Sequence, residues 1–329
     1  MTDKSARLRS LLQVLSDGKF HSGQALGESL GISRSAVWKQ LQKLEALGLE
    51  VYSVKGRGYR LPGGVELLAA EQMLAGLESE ALKAVSSIDL ALSTESTNRS
   101  ALEACQKANA HGRVFVAEQQ TAGRGRRGRT WVSPFGTSLY FSMVWRFEQG
   151  MQGLDGLSLL VGLCVHQAIA AQGGEQAVLK WPNDVLCDGK KLAGILLEVH
   201  GEPGGQCQVV IGIGINVSLS ARVTEDIDQP WTDLRSLNGG SVSKNQLASD
   251  LINALTKALP AFEVSGFEPW RAQWQALNGF ADEPVRLLMG NRVEQGVCRG
   301  VDNSGALLIE NALGTKAYHA GEVSLRADA

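Results

Sequence analysis

The most constraining feature of this sequence is the segment Gly123–Arg129, which reads GRGRRGR and holds four arginines and three glycines in seven residues. Glycine lets the backbone turn tightly and approach a ligand closely. Arginine supplies permanent charge and forked donors that suit carboxylate and phosphate oxygens. A folded core does not hold so many charges in one segment, so this stretch is a surface loop or an anion-binding site. We interpret it as a loop that closes over a carboxylate and a phosphate.

The same loop matches the spacing G-x-G-x-x-G, at Gly123–Gly128, but its context argues against a dinucleotide-binding fold. That fingerprint opens a helix and is followed, roughly 20 residues later, by an acidic residue that holds a ribose. Here the predicted strand Val114–Gln120 leads into the loop, and the alternating strand residues Leu139–Phe147 follow it. The loop is therefore predicted to join two strands.

The totals of the chain bound its class. Its 329 residues suffice for two or three domains, and 44% apolar with 20% charged residues is ordinary for a soluble protein. Without an apolar run of membrane-spanning length or a signal-peptide pattern, the chain is expected to be cytoplasmic, with no membrane partner. The five cysteines and five histidines show no close pairing, which predicts reduced thiols and no metal site built by the protein.

The N-terminal region has its own charge and its own periodicity. Its first 64 residues carry ten Lys/Arg and five Asp/Glu, whereas the whole chain has a net charge of −2. A basic module on an acidic body indicates a nucleic-acid partner. Three helical segments, the third starting at Ser33, precede two predicted strands within Leu49–Leu61, around a Lys-Gly-Arg-Gly tip. This order predicts a winged helix-turn-helix.

We predict that the third helix presents its polar face to DNA and that the wing contacts phosphates. The predicted DNA-binding residues are Ser22, Ser33, Arg34, Ser35, Trp38, Lys39, Gln42, Lys43, Lys55 and Arg57. One monomer would read only a half-site, so a dimer is expected to bind DNA. A small helical domain with a solvated basic face is the alternative interpretation.

Polar residues also interrupt the apolar pattern of the central region. The hydroxyl-rich segment Ser93–Asn98 lies between a strand and a helix, where it can cap the helix or hold a ligand's head group, and the residues alone leave both open. Lys180 lies in an otherwise apolar strand beside a proline turn that carries Asn183 and Asp184. A lysine near a core needs an anion, from the protein or from a ligand. The glycines before Asn216 leave room for a group to approach the sheet.

The remaining periodicity predicts the rest of the fold. Helical spacing predicts helices over residues 66–84, Gly156–Gln172 and Ser243–Phe262. The polar region Ser218–Gly240 is predicted to be a long loop of the kind that is more often functional than decorative. From Pro284 onwards, short strands and turns predict a small barrel that acts as a structural cap.

Together these segments resemble the family of bifunctional biotin–protein ligases that are also biotin operon repressors. The resemblance spans nearly the whole chain and rests on motifs in the family's order: ESTN (95–98), QTAGRGRRGR (120–129), SPFG, SLYFS, KWPND, KLAGIL and GIGIN. It implies an α/β (α+β) multi-domain fold. The implied domains are a winged helix-turn-helix (1–64), a mixed-sheet catalytic domain like that of class II aminoacyl-tRNA synthetases (65–278), and an SH3-like β-barrel (279–329).

The resemblance also implies an activity. Biotin and ATP, with Mg²⁺ carried by ATP, would give biotinyl-5′-AMP, and the biotin would pass to a lysine of the biotin carboxyl carrier protein of acetyl-CoA carboxylase. The adenylate would also act as corepressor, favouring a homodimer that binds operator DNA and represses biotin synthesis genes. A regulator that senses biotin without catalysis, and a lipoate or related acyl ligase, are the rival hypotheses.

Site residues follow from the same resemblance. The implied catalytic residues are Lys180, Arg124 and Arg126. The implied biotin-binding residues are Ser96, Thr97, Asn98, Gln120, Gly123, Arg124, Gly125, Arg126 and Lys180. The implied ATP- and adenylate-binding residues are Arg124, Trp131, Lys180, Asn183, Asn216 and Arg326. Because an anhydride must be kept from water, the loops Arg124–Arg129 and Ser218–Trp231 are expected to close over it.

Overall fold

The computed structural model describes residues 3–201, 205–219, 227–240, 242–290, 292–320 and 323–327. Its N-terminal part is a three-helix unit with a short antiparallel hairpin: α1 (Asp3–Leu15), α2 (Gly23–Leu30), α3 (Arg34–Ala46), β1 (Tyr52–Val54) and β2 (Gly58–Arg60). The hydroxyls of Ser22 and Ser33 accept backbone N–H groups of the first turns of α2 and α3, which fixes where these helices begin. The predicted winged helix-turn-helix is confirmed.

Apolar side chains at helical spacing give this unit a core. Leu11, Leu15, Leu26 and Leu41 are buried together, as expected when each helix turns one apolar face inward. Phe135, from the central part of the chain, is buried in the same cluster. The winged-helix unit therefore packs directly against the central domain.

The helices that follow are α4 (Ala70–Ala75), α5 (Ser79–Ala84), α6 (Thr97–Lys107), α7 (Leu157–Ala170), α8 (Leu234–Asn238), α9 (Lys244–Ser265) and α10 (Arg271–Ala276). The helical spacing predicted over residues 66–84 corresponds to two short helices, α4 ending at Ala75 and α5 beginning at Ser79. Helix α6 starts at Thr97, so Thr97 and Asn98 lie within the helix that Ser93–Asn98 was expected to precede, and no side chain caps it.

A seven-stranded mixed sheet carries the central domain. Its strands are β3 (Ser87–Ala91), β4 (Arg113–Ala117), β5 (Ser138–Phe147), β6 (Val178–Lys180), β7 (Asp184–Cys187), β8 (Lys190–Gly201) and β9 (Cys207–Asn216). They lie in the order β3-β4-β5-β9-β8-β7-β6, with only the β3–β4 pair parallel. Helix α6 packs against β4, β5 and β9, and α7 packs on α9 and the opposite side of the sheet.

The C-terminal part is a five-stranded antiparallel sheet of β10 (Pro284–Met289), β11 (Arg292–Val301), β12 (Leu307–Asn311), β13 (Gly314–Tyr318) and β14 (Val323–Ala327). Its apolar side chains join the core of the central domain, and the indole of Trp181 donates to the carbonyl of Gly305 at 3.1 Å. The barrel therefore lies directly beside β6. The domain boundaries 1–64, 65–278 and 279–329 stay a prediction.

Across the described residues, every helix is too short or too polar to cross a membrane.

Candidate active site

A cavity of about 60 Å³ lies between the start of α6, the arginine loop (Gly123–Arg129) and strands β8 and β9. We call it the inner cavity. Seven of the nine predicted biotin-binding residues line it: Ser96, Thr97, Asn98, Gln120, Arg124, Gly125 and Arg126. Gly123 and Lys180 are outside this lining. The structure thus brings together the two segments, ESTN and GRGRRGR, that the sequence separates by more than twenty positions.

Hydrogen bonds fix the polar end of the inner cavity. The backbone N–H of Thr97 donates to Gln120 Oε1 at 2.9 Å, and Gln120 Nε2 donates to Ser133 Oγ at 2.9 Å. Ser142 Oγ lies 2.7 Å from Thr97 Oγ1 and donates to Asn98 Oδ1 at 2.6 Å. Ser96, which precedes the helix, makes no side-chain cap to it. The side chains of Thr97 and Asn98 therefore serve a cavity-lining network, not a helix cap.

The glycines of β8 and β9 create space in front of the sheet. A Cβ at Gly212 would overlap Asn98 Oδ1, and a Cβ at Gly214 would lie 2.6 Å from Trp131 Cε2. Gly194, on the neighbouring strand, faces the same indole at 2.9 Å. The room that GIGIN provides is thus occupied by two side chains of the site, Asn98 and Trp131.

Two arginines of the loop reach back to the sheet. Arg126 Nη1 donates to Asn183 Oδ1 at 2.9 Å, and Arg124 Nη2 pairs with Glu198 Oε2 at 3.0 Å. Burial lowers the pKa of the Arg126 guanidinium from its usual range. Arg124, Arg127 and Arg129 are exposed, and Arg127 and Arg129 line the outer rather than the inner cavity described below, so the contacts with the sheet are what set Arg124 and Arg126 apart.

A second cavity, of about 340 Å³, opens beside the first, and we call it the outer cavity. Four predicted nucleotide-binding residues line it: Trp131, Lys180, Asn183 and Arg326. Arg124, also predicted for this ligand, lines the inner cavity. Asn216 lies apart, in a third cavity of about 50 Å³, where its amide donates to the backbone oxygen of Thr232 at 3.0 Å.

Among the cationic side chains that line the outer cavity, Lys180 has the pKa that is shifted most. Burial lowers its pKa to about 8, and the positive charges of Arg326 and Lys191 act in the same direction. Asp184, its partner across the β6–β7 pair, opposes this shift. The Lys180 ammonium lies 5.9 Å from the Phe280 ring centre. An anion bound here would raise this pKa again.

Sequence reasoning missed several residues of the site, chiefly Lys191. It lines the inner, outer and third cavities, and its Nζ lies 2.7 Å from Asp184 Oδ1 and 5.3 Å from the Trp131 ring centre. Its place at the start of the KLAGIL motif was the available indication. Ser142 and Glu198 were also missed, because strand alternation does not say which face meets the ligand.

The described residues include no group of three His, Cys, Asp or Glu side chains that could hold a metal ion. A magnesium ion would therefore have to take most of its ligands from substrate phosphates and water.

The predicted DNA-binding residues fall on exposed surfaces of α3 and the wing. Arg34, Ser35, Lys39, Gln42 and Lys43 are exposed, and so are Trp38, at 52%, and the wing residues Lys55 and Arg57. Arg57 also lies over the Phe20 ring at 4.4 Å. The hydroxyls of Ser22 and Ser33 are engaged as helix caps. DNA contact by all ten residues stays a prediction.

Comparison with known families divides the chain into the same three parts as the structure. Residues 90–216 match the biotin/lipoate A/B protein ligase family, residues 7–60 match an HTH domain, and residues 281–326 match the biotin protein ligase C terminal domain. A biotin protein ligase from Aquifex aeolicus, solved in complex with biotin and ATP, superposes with a TM-score of 0.65 at 30% identity, covering 74% of this chain and all of that one. The fold and site thus define a DNA-binding domain joined to a ligase domain.

Relatives that match this chain over nearly their full length identify the family within this class. The bifunctional ligase/repressor BirA of Salmonella typhimurium is 43% identical over 96% of this chain and 97% of its own length. That of Escherichia coli is 40% identical over 99% of both chains. The chain belongs to the family of bifunctional biotin ligase/repressors.

The lowered pKa of Lys180 predicts unusual reactivity toward amine-acylating reagents. Above a pH of about 8 its amine is neutral and nucleophilic, whereas a lysine of ordinary pKa, 10.5, is still protonated. Between pH 8 and pH 10.5 Lys180 is neutral in the folded protein and protonated in the unfolded chain. Its contribution to the free energy of unfolding is therefore fully present above pH 10.5 and is lost as the pH falls through 8. Competitive labelling followed by mass spectrometry should give Lys180 a midpoint near pH 8. A midpoint equal to that of the exposed Lys107 would contradict the assignment.

Proposed function

We propose that this protein joins biotin to ATP in the two adjoining cavities, transfers biotin to a lysine of the biotin carboxyl carrier protein of acetyl-CoA carboxylase, and represses biotin synthesis genes through its winged helix. The enzymatic part of this proposal is supported by one observation: the inner and outer cavities share a wall. Gly125, Arg126, Trp131, Asn183 and Lys191 line both. Two ligands held in these cavities meet at one strongly cationic point.

Biotin occupies the inner cavity in this proposal. Its ring end meets the network of Thr97, Asn98 and Gln120, and its carboxylate points toward Arg126 and Lys191. The inner cavity, at about 60 Å³, is far smaller than typical small-molecule pockets of about 300–1,000 Å³. Biotin entry therefore requires the side chains around it to move, and the Trp131 indole, which lines all three cavities, is the largest of them.

ATP occupies the outer cavity, with its α-phosphate against the same point. A carboxylate oxygen of biotin forms a bond to the α-phosphorus while the bond to the β-phosphate bridging oxygen breaks, and pyrophosphate leaves. Negative charge grows on the phosphate oxygens during this step. Arg126, Lys180 and Lys191 are positioned to stabilise it, because fixed charges in a partly buried site act more strongly than in water. Arg326, on β14, adds a fourth cation from the barrel.

The acceptor lysine needs a separate approach. A groove of about 340 Å³ runs between the first turn of α7, strand β8 and the turn Ser304–Ala306 of the barrel, and it reaches Arg126. We infer that the acceptor lysine enters here, because the nucleotide fills the outer cavity. Its neutral amine attacks the carbonyl carbon of biotinyl-AMP, the bond to the AMP oxygen breaks, and the amine loses a proton as the amide forms.

A transfer assay tests the enzyme directly. Incubating the protein with labelled biotin, ATP and a carrier domain should label the carrier, whereas a pure biotin sensor or a lipoate ligase would leave it unlabelled. Lys180→Ala should slow adenylate formation at least about 100-fold through the loss of transition-state charge stabilisation. Transfer from supplied biotinyl-AMP should fall much less. Lys107→Ala, on the exposed side of α6, is the matched control and should behave as wild type.

The exposed face of α3 and the wing support the repressor function. Each phosphate neutralised by Lys or Arg contributes about 0.9 to the slope of log affinity against log salt. Replacing Arg34 and Lys39 together with alanine should weaken operator binding and lower this slope by roughly 2. The exposed Lys83→Ala variant serves as control. A double variant with the wild-type slope would place DNA on another surface.

We infer that a second copy of the chain pairs along β8 when adenylate is bound. Strand β7 pairs with β8 only as far as Gly194, although β8 continues to Gly201. Among the described strands, none pairs with this outer edge, and Val199 on it is 41% exposed. The edge lies beside the arginine loop, whose Arg124 pairs with Glu198 of β8, so a ligand that orders this loop can change the pairing of the edge. Ser218–Trp231, the other loop expected to close, includes residues 220–226, which lie outside the described residues.

Sedimentation velocity tests this pairing. Biotin with ATP should shift the wild-type protein from monomer to dimer, and Val199→Lys should suppress the shift, because charged side chains on an edge strand oppose strand addition. Val264→Lys, at an 85% exposed position of α9, is the control. Ligand-induced dimers of Val199→Lys with wild-type stability would remove β8 from the interface. The cytoplasmic location of the protein stays a prediction.

A further inference from the structure

The carboxylate of Glu198 contacts residues on two sides of the inner cavity. Glu198, on β8, is mostly buried, with 24% of its side chain exposed. Its Oε2 accepts a hydrogen bond from Asn98 Nδ2 at 2.8 Å and pairs with Arg124 Nη2 at 3.0 Å. Asn98 belongs to the segment at the polar end of the cavity, and Arg124 belongs to the arginine loop. Glu198 therefore links the side chains of these two segments, in addition to the backbone bond from the Ala122 N–H to the Glu95 oxygen at 2.9 Å.

This contact fixes how the Asn98 amide is turned. Its Nδ2 faces Glu198 Oε2 and the backbone oxygen of Leu196 at 3.3 Å, and both are acceptors only. The opposite orientation would place Oδ1 against these two oxygens and is repulsive. Both N–H groups of the amide are thereby used within the protein. Its Oδ1 accepts one hydrogen bond, from Ser142, and retains a second lone pair.

The packing around Asn98 leaves this amide little freedom to adjust. Gly212 lies so close behind it that a Cβ there would overlap Oδ1. Toward a ligand in the inner cavity, Asn98 can therefore act as a hydrogen-bond acceptor and not as a donor.

We propose that Glu198 is a specificity-determining positioning residue. By holding Asn98 as an acceptor, it makes the inner cavity select a head group that donates an N–H, such as a cyclic urea, over a ring of the same shape that lacks this donor. A site with a fixed, buried acceptor discriminates strongly against an analogue that presents another acceptor to it. The same carboxylate pairs with Arg124, so it contributes both to head-group recognition and to one of the two side-chain contacts between the arginine loop and the sheet. This inference rests on the proposed binding of biotin.

The test compares biotin with two analogues in which a ring oxygen replaces one or the other ureido N–H. The measurement is pyrophosphate release by the full-length protein, which reports adenylate formation. Glu198→Ala removes the shorter of the two contacts that fix the Asn98 amide and leaves only the Leu196 oxygen at 3.3 Å, so the amide can turn and donate. The biotin KM should rise about tenfold, kcat should change less than about twofold, and the preference for biotin over the better-discriminated analogue should fall about tenfold. Glu198→Leu repeats the test with the space filled.

Two further variants separate positioning from general damage. Glu198→Gln places a neutral oxygen where Oε2 was, which still accepts from Asn98, so it should keep the wild-type biotin KM and analogue preference within about threefold. Glu103→Gln removes another carboxylate that pairs with an arginine, Arg99, away from Asn98, and should change nothing.

Two outcomes would overturn the proposal: an unchanged analogue preference in both Glu198→Ala and Glu198→Leu, or an equal loss of preference in Glu198→Gln. Failure of the wild-type protein to release pyrophosphate with biotin would instead refute the proposed function. That outcome is measured on the wild-type protein alone, so it is distinct from the two outcomes above.

Discussion

The concentration of positive charge around the two adjoining cavities is the constraint on which the site depends. Arg124, Arg126, Lys180, Lys191 and Arg326 converge there. Two carboxylates, Asp184 and Glu198, each pair with one of these cations. The remaining like-charge repulsion, together with burial, lowers the pKa of Lys180. Such a cluster destabilises the folded protein until anions enter, and the same repulsion makes the site bind a carboxylate and a triphosphate together.

The position of this cluster depends on the segment that follows β4. Immediately after β4, Glu118 and Lys244 form a fully buried ion pair at 2.6 Å, and Glu118 Oε1 also accepts the backbone N–H of Leu68 from the linker that follows the DNA-binding unit. Removing one partner of such a pair would leave an unpaired buried charge, at a cost of about 3–5 kcal/mol. The pair therefore fixes the position of this segment, and with it Gln120, which orients Thr97 at the polar end of the inner cavity.

The sequence predicted the architecture well because its strongest patterns are local. Helical spacing, turn residues and the ordered motifs indicated the winged helix, the strand-flanked arginine loop and the barrel. Lys191 and Glu198 were not predicted, because their roles depend on β8 lying between β7 and β9 in a sheet whose order the sequence does not show. Gly212 and Gly214 were interpreted correctly as making space, but only the coordinates identify Asn98 and Trp131 as the groups that fill it.

The enzymatic and DNA-binding halves meet in the SPFG motif. Ser133 accepts the hydrogen bond from Gln120 in the site, and Phe135, two residues later, is buried in the core of the winged helix with 4% exposure. A cleft of about 910 Å³ runs beside this segment, between the end of α3 and the backbone around Val217. A ligand can bias DNA binding only through contacts that differ between two arrangements of the protein. Ser133 and Phe135 are separated only by Pro134, whose ring fixes its φ at about −65°, so this segment is a short and stiff connection between the site and the core of the winged helix.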